Sequence, residues 1–201
     1  MEQHATTTQT KESGGDGQKL KGKTVAILAT DGVEQVELTE PRKALEQAGA
    51  KTVLVSPKSG KIQAFRHLDR GDTFDVDLSI QQADPKAFDA LFLPGGAHNP
   101  DQLRTVPEVV EFVRAFAVTG KPVAAICHAA WTLVEADVVR GKTMTSWPSL
   151  RKDLENAGAT WVDRDVVVDK GWVTSRKPAD IPAFVNKVIE EMTEPQHARA
   201  H

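Results

Sequence analysis

Residues 122–139 read PVAAICHAAWTLVEADVV, and this stretch decides the fold. The apolar run 122–126 predicts a short buried strand, and a helix is predicted to follow at once and to run to about Val139. The same alternation recurs along the chain. Strands are predicted at 24–29, 52–56 and 90–93, helices at 38–48, 106–118, 149–157 and 180–192, and a hairpin at 166–168 and 172–174. Short apolar strands that alternate with helices indicate a largely parallel α/β sheet with helices on both faces.

The composition is that of one ordinary globular domain. The chain has 201 residues, of which 40% are hydrophobic and 26% charged. Its formal net charge of −3 gives no support for a basic nucleic-acid-binding surface. No stretch approaches the ~20 apolar residues of a membrane-spanning helix. We therefore expect neither a nucleic-acid partner nor a membrane span.

Both ends of the chain are predicted to lie outside the folded domain. Residues 1–22 are polar, small and glycine-rich, which predicts a disordered N-terminal tail. Residues 193–201 have a similar composition and are predicted to fray, which leaves 23–192 as the domain. The N-terminal stretch lacks the apolar core of a signal peptide, and a single cysteine fits a reducing compartment. These features predict a cytoplasmic protein.

Cys127 lies where the predicted strand 122–126 meets the following helix. Unpaired backbone N–H groups and the helix dipole at such a place favour a thiolate and stabilise a developing oxyanion. The flanking residues are small, as a tight strand-to-helix turn requires: Ala125, Ala129 and Ala130. The alternative is a buried structural cysteine, because free cysteines are frequently buried.

The histidines are the candidate proton acceptors for this thiol. His128 adjoins the cysteine, and His98 follows the turn PGG at 94–96, the end of another predicted strand. His67 also lies in the predicted domain, whereas three more lie in the predicted tails: His4, His197 and His201. No His/Cys/Asp/Glu cluster has metal-ligand spacing. The sequence therefore predicts neither a metal nor a cofactor.

The loop after the first predicted strand is acidic and reads DGVEQVE at 31–37. Acidic residues that open a helix commonly complement its dipole. Alternatively, Glu37 points across the strand ends toward Cys127, where a buried carboxyl with a raised pKa would donate a hydrogen bond to sulfur. Spacing alone leaves both interpretations open.

Five stretches of the chain resemble the PfpI group of the ThiJ/PfpI family, within the class I glutamine amidotransferase-like superfamily. They follow in order through nearly everything outside the predicted tails. They are GVEQVELTEP (32–41), FDALFLPGG (88–96), GKPVAAICHAAW (120–131), VVRGKTMTSWPSLRKDLENAGATWVD (138–163) and VVVDKGWVTSRKPAD (166–180). The resemblance implies a flavodoxin-like three-layer α/β sandwich with a mostly parallel sheet and a nucleophile elbow.

The resemblance also implies roles for particular residues. Cys127 matches the nucleophile, His128 the proton shuttle and Glu37 the hydrogen-bond partner of the thiol. Backbone N–H groups beside Gly96 and His128 would form the oxyanion site. Asp101 lies where PfpI proteases place a Glu contributed by a neighbouring subunit, which implies a homo-oligomer, either a dimer or a hexamer.

The chain departs from the family pattern at two positions. Ala129 stands where the family commonly has Gly after Cys-His, so the elbow must accommodate a methyl group. Asp101 is shorter than the family's Glu. No histidine lies between Trp131 and Glu194, where true amidotransferases carry their downstream catalytic His, so glutamine amidotransfer is not expected.

The function that this resemblance implies is that of a stress-response cysteine enzyme. Thiolate attack on a carbonyl carbon would make it a hydrolase of the intracellular-protease or deglycase type, with a peptide or a small carbonyl compound as substrate. The alternative from another class is a non-enzymatic redox sensor or chaperone that is read out through oxidation of Cys127. A third possibility is a structural domain with an inert thiol.

Overall fold

The central feature of the protein is a seven-stranded sheet, seen in a computed structural model that describes residues 18–194. In spatial order its strands are β11 (Val166–Asp169), β12 (Trp172–Ser175), β8 (Val123–Ile126), β7 (Ala90–Leu93), β1 (Thr24–Leu28), β3 (Lys51–Ser56) and β6 (Leu78–Ser79). All neighbouring strands pair in parallel except β11, which runs antiparallel to β12. The carboxyl ends of the central strands therefore meet at one edge of the sheet.

Helices cover both faces of this sheet. They are α1 (Gln35–Gln47), α2 (His98–Leu103), α3 (Pro107–Ala117), α4 (Ala130–Glu135), α5 (Arg151–Asn156) and α6 (Ile181–Thr193). Successive side chains of β1 point to opposite faces, as the pleat requires. Val25 packs in one apolar cluster with residues of α1 and α6, such as Phe184, whereas Ala26 packs in a second cluster with residues of α3 and α4, such as Phe116. The result is a three-layer α/β sandwich, which confirms the predicted flavodoxin-like fold.

Two small sheets lie outside the central one. The first joins β2 (Val33–Glu34), β4 (Lys61–Arg66) and β5 (Asp69–Asp75), and the second joins β9 (Thr143–Met144) and β10 (Thr160–Trp161). The hairpin of β4 and β5 was not predicted, because its strands are largely polar and β5 is mostly exposed. It packs beside the acidic loop, where the backbone N–H of His67 donates to the Glu34 carboxylate at 3.1 Å.

Two predicted helix boundaries are wrong. Helix α1 begins three residues before Leu38, so its first turn includes Glu37. The helix predicted to run without interruption to Val139 is instead a 3₁₀ turn, Cys127–Ala129, followed by α4, which ends at Glu135. Asp137 then adopts a left-handed conformation with φ 54°, which turns the chain away from the helix.

The predicted N-terminal tail extends too far into the chain. Leu20 is fully buried, and its backbone N–H donates to the Ala48 carbonyl at 2.8 Å. Residues 18–22 therefore pack on the domain. The parts of the two predicted tails at 1–17 and 195–201 lie outside the described residues. No helix between residues 18 and 194 is long and apolar enough to cross a bilayer.

Candidate active site

Cys127 occupies a strained turn at the carboxyl end of β8. Its φ of 62° lies in the left-handed region, which non-glycine residues rarely adopt. The backbone N–H of Trp147 donates to the Cys127 carbonyl at 3.1 Å, so the turn is anchored by a distant segment. A reactive residue in such a strand-to-helix turn is typical of a nucleophile elbow. Ala129 fits there because its φ of −54° is helical and its methyl group packs in the core.

The thiol lies against a histidine. Sγ of Cys127 is 3.2 Å from Nδ1 of His128, within hydrogen-bond reach for sulfur. His128 is half-buried, and burial lowers its pKa below the usual value. The imidazole is therefore neutral near pH 7 and able to accept the thiol proton.

Glu37 reaches the same thiol from the first turn of α1. Its side chain is fully buried, and Oε2 accepts the backbone N–H of Gly95 at 3.0 Å. Burial raises the pKa of Glu37 to about 8, although its contact with the Cys127 thiol acts in the opposite direction. The carboxyl is consequently protonated over most of the neutral range. Of the two interpretations left open by the sequence, the structure supports the one in which Glu37 faces the cysteine.

The pKa of the cysteine differs from the sequence-based expectation of a favoured thiolate. Cys127 is only 7% exposed, and this burial raises the pKa of its thiol above the ordinary value. A negative charge on Glu37 raises it further, whereas hydrogen bonds from the backbone N–H groups of Gly96 and His128 lower it. Desolvation outweighs these N–H groups. The resting site therefore holds a thiol beside a neutral imidazole rather than a preformed ion pair.

The loop that follows β7 closes the site from the opposite side. A Cβ on Gly95 would lie 2.6 Å from Cβ of Cys127 and 2.8 Å from the Ile126 carbonyl oxygen, so only glycine fits there. Gly96 follows with φ 82°. This close approach brings the N–H of Gly96 to the sulfur.

Asn99 holds this loop in place, and sequence reasoning did not identify it. Its side chain is fully buried, and Oδ1 accepts the backbone N–H of Thr30 at 2.7 Å. Its Nδ2 donates to the carbonyls of Pro94 and Gly95 at 3.0 and 3.1 Å. Asn99 thus ties the end of β1 to the turn after β7. A polar residue after a Pro-Gly-Gly turn gives no local signal of this bridge.

The remaining candidates lie away from the thiol–imidazole pair. Asp101 is exposed in the first turn of α2, and it does not cap that helix, whose N-cap is Ala97. His98 is exposed and packs over Gly32, while His67 is exposed in the turn between β4 and β5. Within residues 18–194, no group of three or more His, Cys, Asp or Glu side chains is arranged to hold a metal ion.

This combination of elbow, histidine and buried carboxyl coincides with a family match. The sequence pattern of the DJ-1/PfpI family matches residues 23–191. The chain belongs to the DJ-1/PfpI family. The match includes every candidate site residue named above and ends one residue before the C-terminal boundary predicted for the domain.

Curated relatives within this family align over most of their length. The chain is 43% identical over 162 residues to the "Putative cysteine protease YraA" of Bacillus subtilis, covering 81% of this chain and 94% of the relative. It is 43% identical over 168 residues to protein/nucleic acid deglycase 2 of Escherichia coli, covering 83% and 96%. These relatives are named for two different reactions.

A solved structure agrees with the fold. The chain matches a crystal structure of a two-domain protein from Anabaena variabilis that contains DJ-1/ThiJ/PfpI-like and ferritin-like domains. The TM-score is 0.80 with 34% identity, and the match covers 89% of this chain. It covers 52% of that protein, so this chain spans about half of its length.

Proposed function

We propose that the protein is a cysteine-nucleophile hydrolase of the PfpI type, which attacks a carbonyl carbon in a peptide or in a glycated group. The observation that carries the proposal is the 3.2 Å contact between Sγ of Cys127 and Nδ1 of His128, with two backbone N–H groups on the sulfur. A thiol within reach of a base, beside donors suited to an oxyanion, is the arrangement that acyl transfer requires.

The chemistry starts from the neutral pair. As the sulfur attacks the carbonyl carbon, the thiol proton passes to Nδ1 of His128 and the carbonyl π electrons move to oxygen. The N–H groups of Gly96 and His128 stabilise the resulting oxyanion. For a peptide, the C–N bond then breaks, His128 protonates the departing amine, and water hydrolyses the thioester. Proton transfer during attack removes the need for a resting thiolate.

Glu37 keeps the site electrically neutral before attack. An ionised carboxylate beside the sulfur would oppose the negative charge that develops there. The protonated carboxyl instead offers a hydrogen bond to sulfur. A raised pKa thus fits a role as hydrogen-bond partner of the thiol rather than as the base.

The names of the relatives support both substrate classes. One relative is named for proteolysis and the other for deglycation of protein and nucleic acid, and the two are equally identical to this chain. Attack on a carbonyl carbon is common to both reactions. We propose on the same basis a stress-protective role, and the single cysteine favours a cytoplasmic location.

The test is an assay of purified wild type on casein-like peptides, on methylglyoxal and on glycated substrates. Cys127→Ser and His128→Asn are expected to abolish turnover of the true substrate. His67→Asn is the matched control, because it removes an exposed histidine whose left-handed φ of 59° suits asparagine. Full activity in Cys127→Ser, or none in wild type on any of the substrates, would contradict the proposal.

The same geometry supports the redox sensor as a second candidate. Oε1 of Glu37 is buried and has no hydrogen-bond partner, although the carboxyl interacts with the thiol. A protonated carboxyl in this position would donate to an oxygen on an oxidised sulfur. A variant that cannot turn over substrate but whose Cys127 still oxidises would separate the two candidates. If such a variant keeps the stress-protective role of the protein, the result favours the redox sensor.

We also propose that a second copy of the chain completes the site. Asp101 is exposed in the first turn of α2, which follows the turn that carries Gly96, as expected for a side chain offered to a neighbour. Its carboxylate would accept the remaining imidazole N–H of His128 in the other subunit. A dimer is the smallest assembly that permits this, and a hexamer is compatible with it.

A further inference from the structure

The imidazole of His128 contacts two indole rings. Trp147 stacks on it, with ring centroids 5.6 Å apart and planes at 23°. Trp131 meets it edge-on, at 5.2 Å and 62°. Aromatic pairs in these geometries are attractive beyond their buried area, so each ring favours one orientation of the imidazole.

The loop that carries Trp147 is itself tied to the elbow. The Trp147 N–H donates to the Cys127 carbonyl, as described above. The Trp147 carbonyl accepts hydrogen bonds from the Ser146 hydroxyl and from the N–H of Leu150, both at 3.0 Å. Ser146 Oγ in turn accepts the indole N–H of Trp161 at 3.0 Å. The backbone of Trp147 is therefore held from both sides, and its indole, in a residue that is 37% exposed, packs against the imidazole.

Trp131 is held by a separate set of contacts. Its indole N–H donates to the Asp153 carboxylate at 2.9 Å, and the guanidinium of Arg104 lies 5.9 Å from its ring centroid. Two tryptophans from separate segments of the chain thus contact one histidine. Neither contact involves another subunit.

Hydrogen bonds alone do not set the orientation of the His128 imidazole. Within residues 18–194, the only hydrogen-bond partner of the His128 side chain is the Cys127 thiol. In nucleophile–base pairs a third group usually orients the base. The one contact to sulfur fixes an atom of the ring but not the plane of the ring.

We infer that Trp147 is a positioning residue that orients His128 toward the thiol within a single chain. The stacked indole fixes the plane of the imidazole so that Nδ1 faces Sγ, and the bond from the Trp147 N–H to the Cys127 carbonyl keeps the ring and the elbow in register. Trp131 adds an edge-on contact to the same ring. This inference rests on the proposed function, because it assigns His128 the role of base. Asp101 of a second copy would then add a hydrogen bond to an imidazole that is already oriented.

The test compares Trp147→Phe, which retains a ring, with Trp147→Leu, which retains apolar volume only. The first measurement is the ¹⁵N NMR spectrum of labelled histidine, which reports the tautomer without any substrate. Wild type and Trp147→Phe are expected to show one neutral tautomer at His128, with Nδ1 unprotonated. Trp147→Leu is expected to show a mixture. Trp147→Met provides a second variant without a ring if the leucine variant does not fold.

The second measurement is steady-state kinetics on the substrate that wild type turns over. Loss of the stack is expected to lower kcat by roughly three- to tenfold with KM changed less than twofold. The phenylalanine variant is expected to retain most of kcat. A thermal melt verifies that the variants are folded.

The outcomes separate the inference from the proposed function. A folded Trp147→Leu with a single tautomer and unchanged kcat would overturn the inference, as would a phenylalanine variant as impaired as the leucine variant. Wild type with no turnover of any substrate contradicts the proposed function alone, because the tautomer measurement still tests the orientation of the ring.

Discussion

Replacement of Glu37 by Gln tests the electrostatics of the site through stability. The amide is nearly isosteric with the protonated carboxyl, so it keeps the acceptor for the Gly95 N–H and still donates toward the sulfur. It cannot ionise. Any pH dependence that wild type shows and the variant lacks therefore belongs to the Glu37 carboxyl.

The magnitude follows from the raised pKa. The pKa of Glu37 rises from 4.5 to about 8 on folding, chiefly because of burial. Between these values the folded state retains a proton that the unfolded state has lost, so the free energy of unfolding falls as pH rises. Each pH unit is worth about 1.4 kcal/mol, and the full interval is worth about 5 kcal/mol. The stability is present below pH 4.5 and is lost as the pH rises through 8.

Urea denaturation of both proteins from pH 4 to pH 9 measures this difference. The free energy of unfolding of Glu37→Gln, minus that of wild type, is expected to rise across this interval and to level off above pH 8. Glu40→Gln, exposed on the same helix, is the matched control and is expected to show no such rise. A difference between Glu37→Gln and wild type that stays constant with pH would refute the reasoning, because it would mean that the buried carboxyl ionises as easily as in the unfolded chain.

Four further predictions follow from the site. Alkylation of Cys127 by iodoacetamide across a pH series should have its midpoint above the free-thiol value of about 8.5, since burial raises the thiol pKa; a midpoint below that value would contradict the structure. Gly95→Ala should lower the free energy of unfolding by about 1–3 kcal/mol in urea melts, because the added methyl meets backbone and Cβ atoms that must shift. A variant as stable as wild type would show that the loop accommodates the methyl group. Graded peroxide should add oxygen to Cys127, which is 7% exposed, before Met144, which is 1% exposed, as read by peptide mass, and Glu37→Gln should alter how far that oxidation proceeds; oxygen on methionine alone would remove the basis of the sensor. Inactive Cys127→Ser chains mixed with inactive Asp101→Ala chains should regain activity if a neighbour completes the site; full activity of Asp101→Ala by itself would exclude a shared site.

The elements that the sequence predicted well are those with a strong local pattern. Strand β7 has the predicted bounds, and α3 differs from its prediction by one residue at each end. Continuous apolar runs and helical spacing of valine and phenylalanine side chains produce these patterns without reference to the rest of the chain. The hairpin of β4 and β5 escaped prediction because its exposed side chains give no such pattern.

The chemistry of the site was less accessible from the sequence. The adjacency of Cys127 and His128 is covalent, so it was certain in advance. The burial of Glu37 was not, because a first-turn acidic residue serves equally well as a dipole complement on the surface. The direction of the thiol pKa shift differs from the sequence-based expectation, since the helix N-terminus is visible in the sequence while the extent of burial is not.

Residue types, their order and the apolar periodicity therefore determined the α/β fold and the strand-to-helix turn that carries the single cysteine of the sequence. The parallel register of the strands decided the geometry of the site, because it brings together residues that are far apart in the chain. Pairing of Leu93 with Ala125 sets the ends of β7 and β8 side by side, and this places Gly95 against Cys127. The contact of Trp147 with the elbow likewise depends on packing between distant segments. Distances of this kind, and the desolvation that follows from them, arise only when the whole core assembles, since no local sequence pattern encodes them.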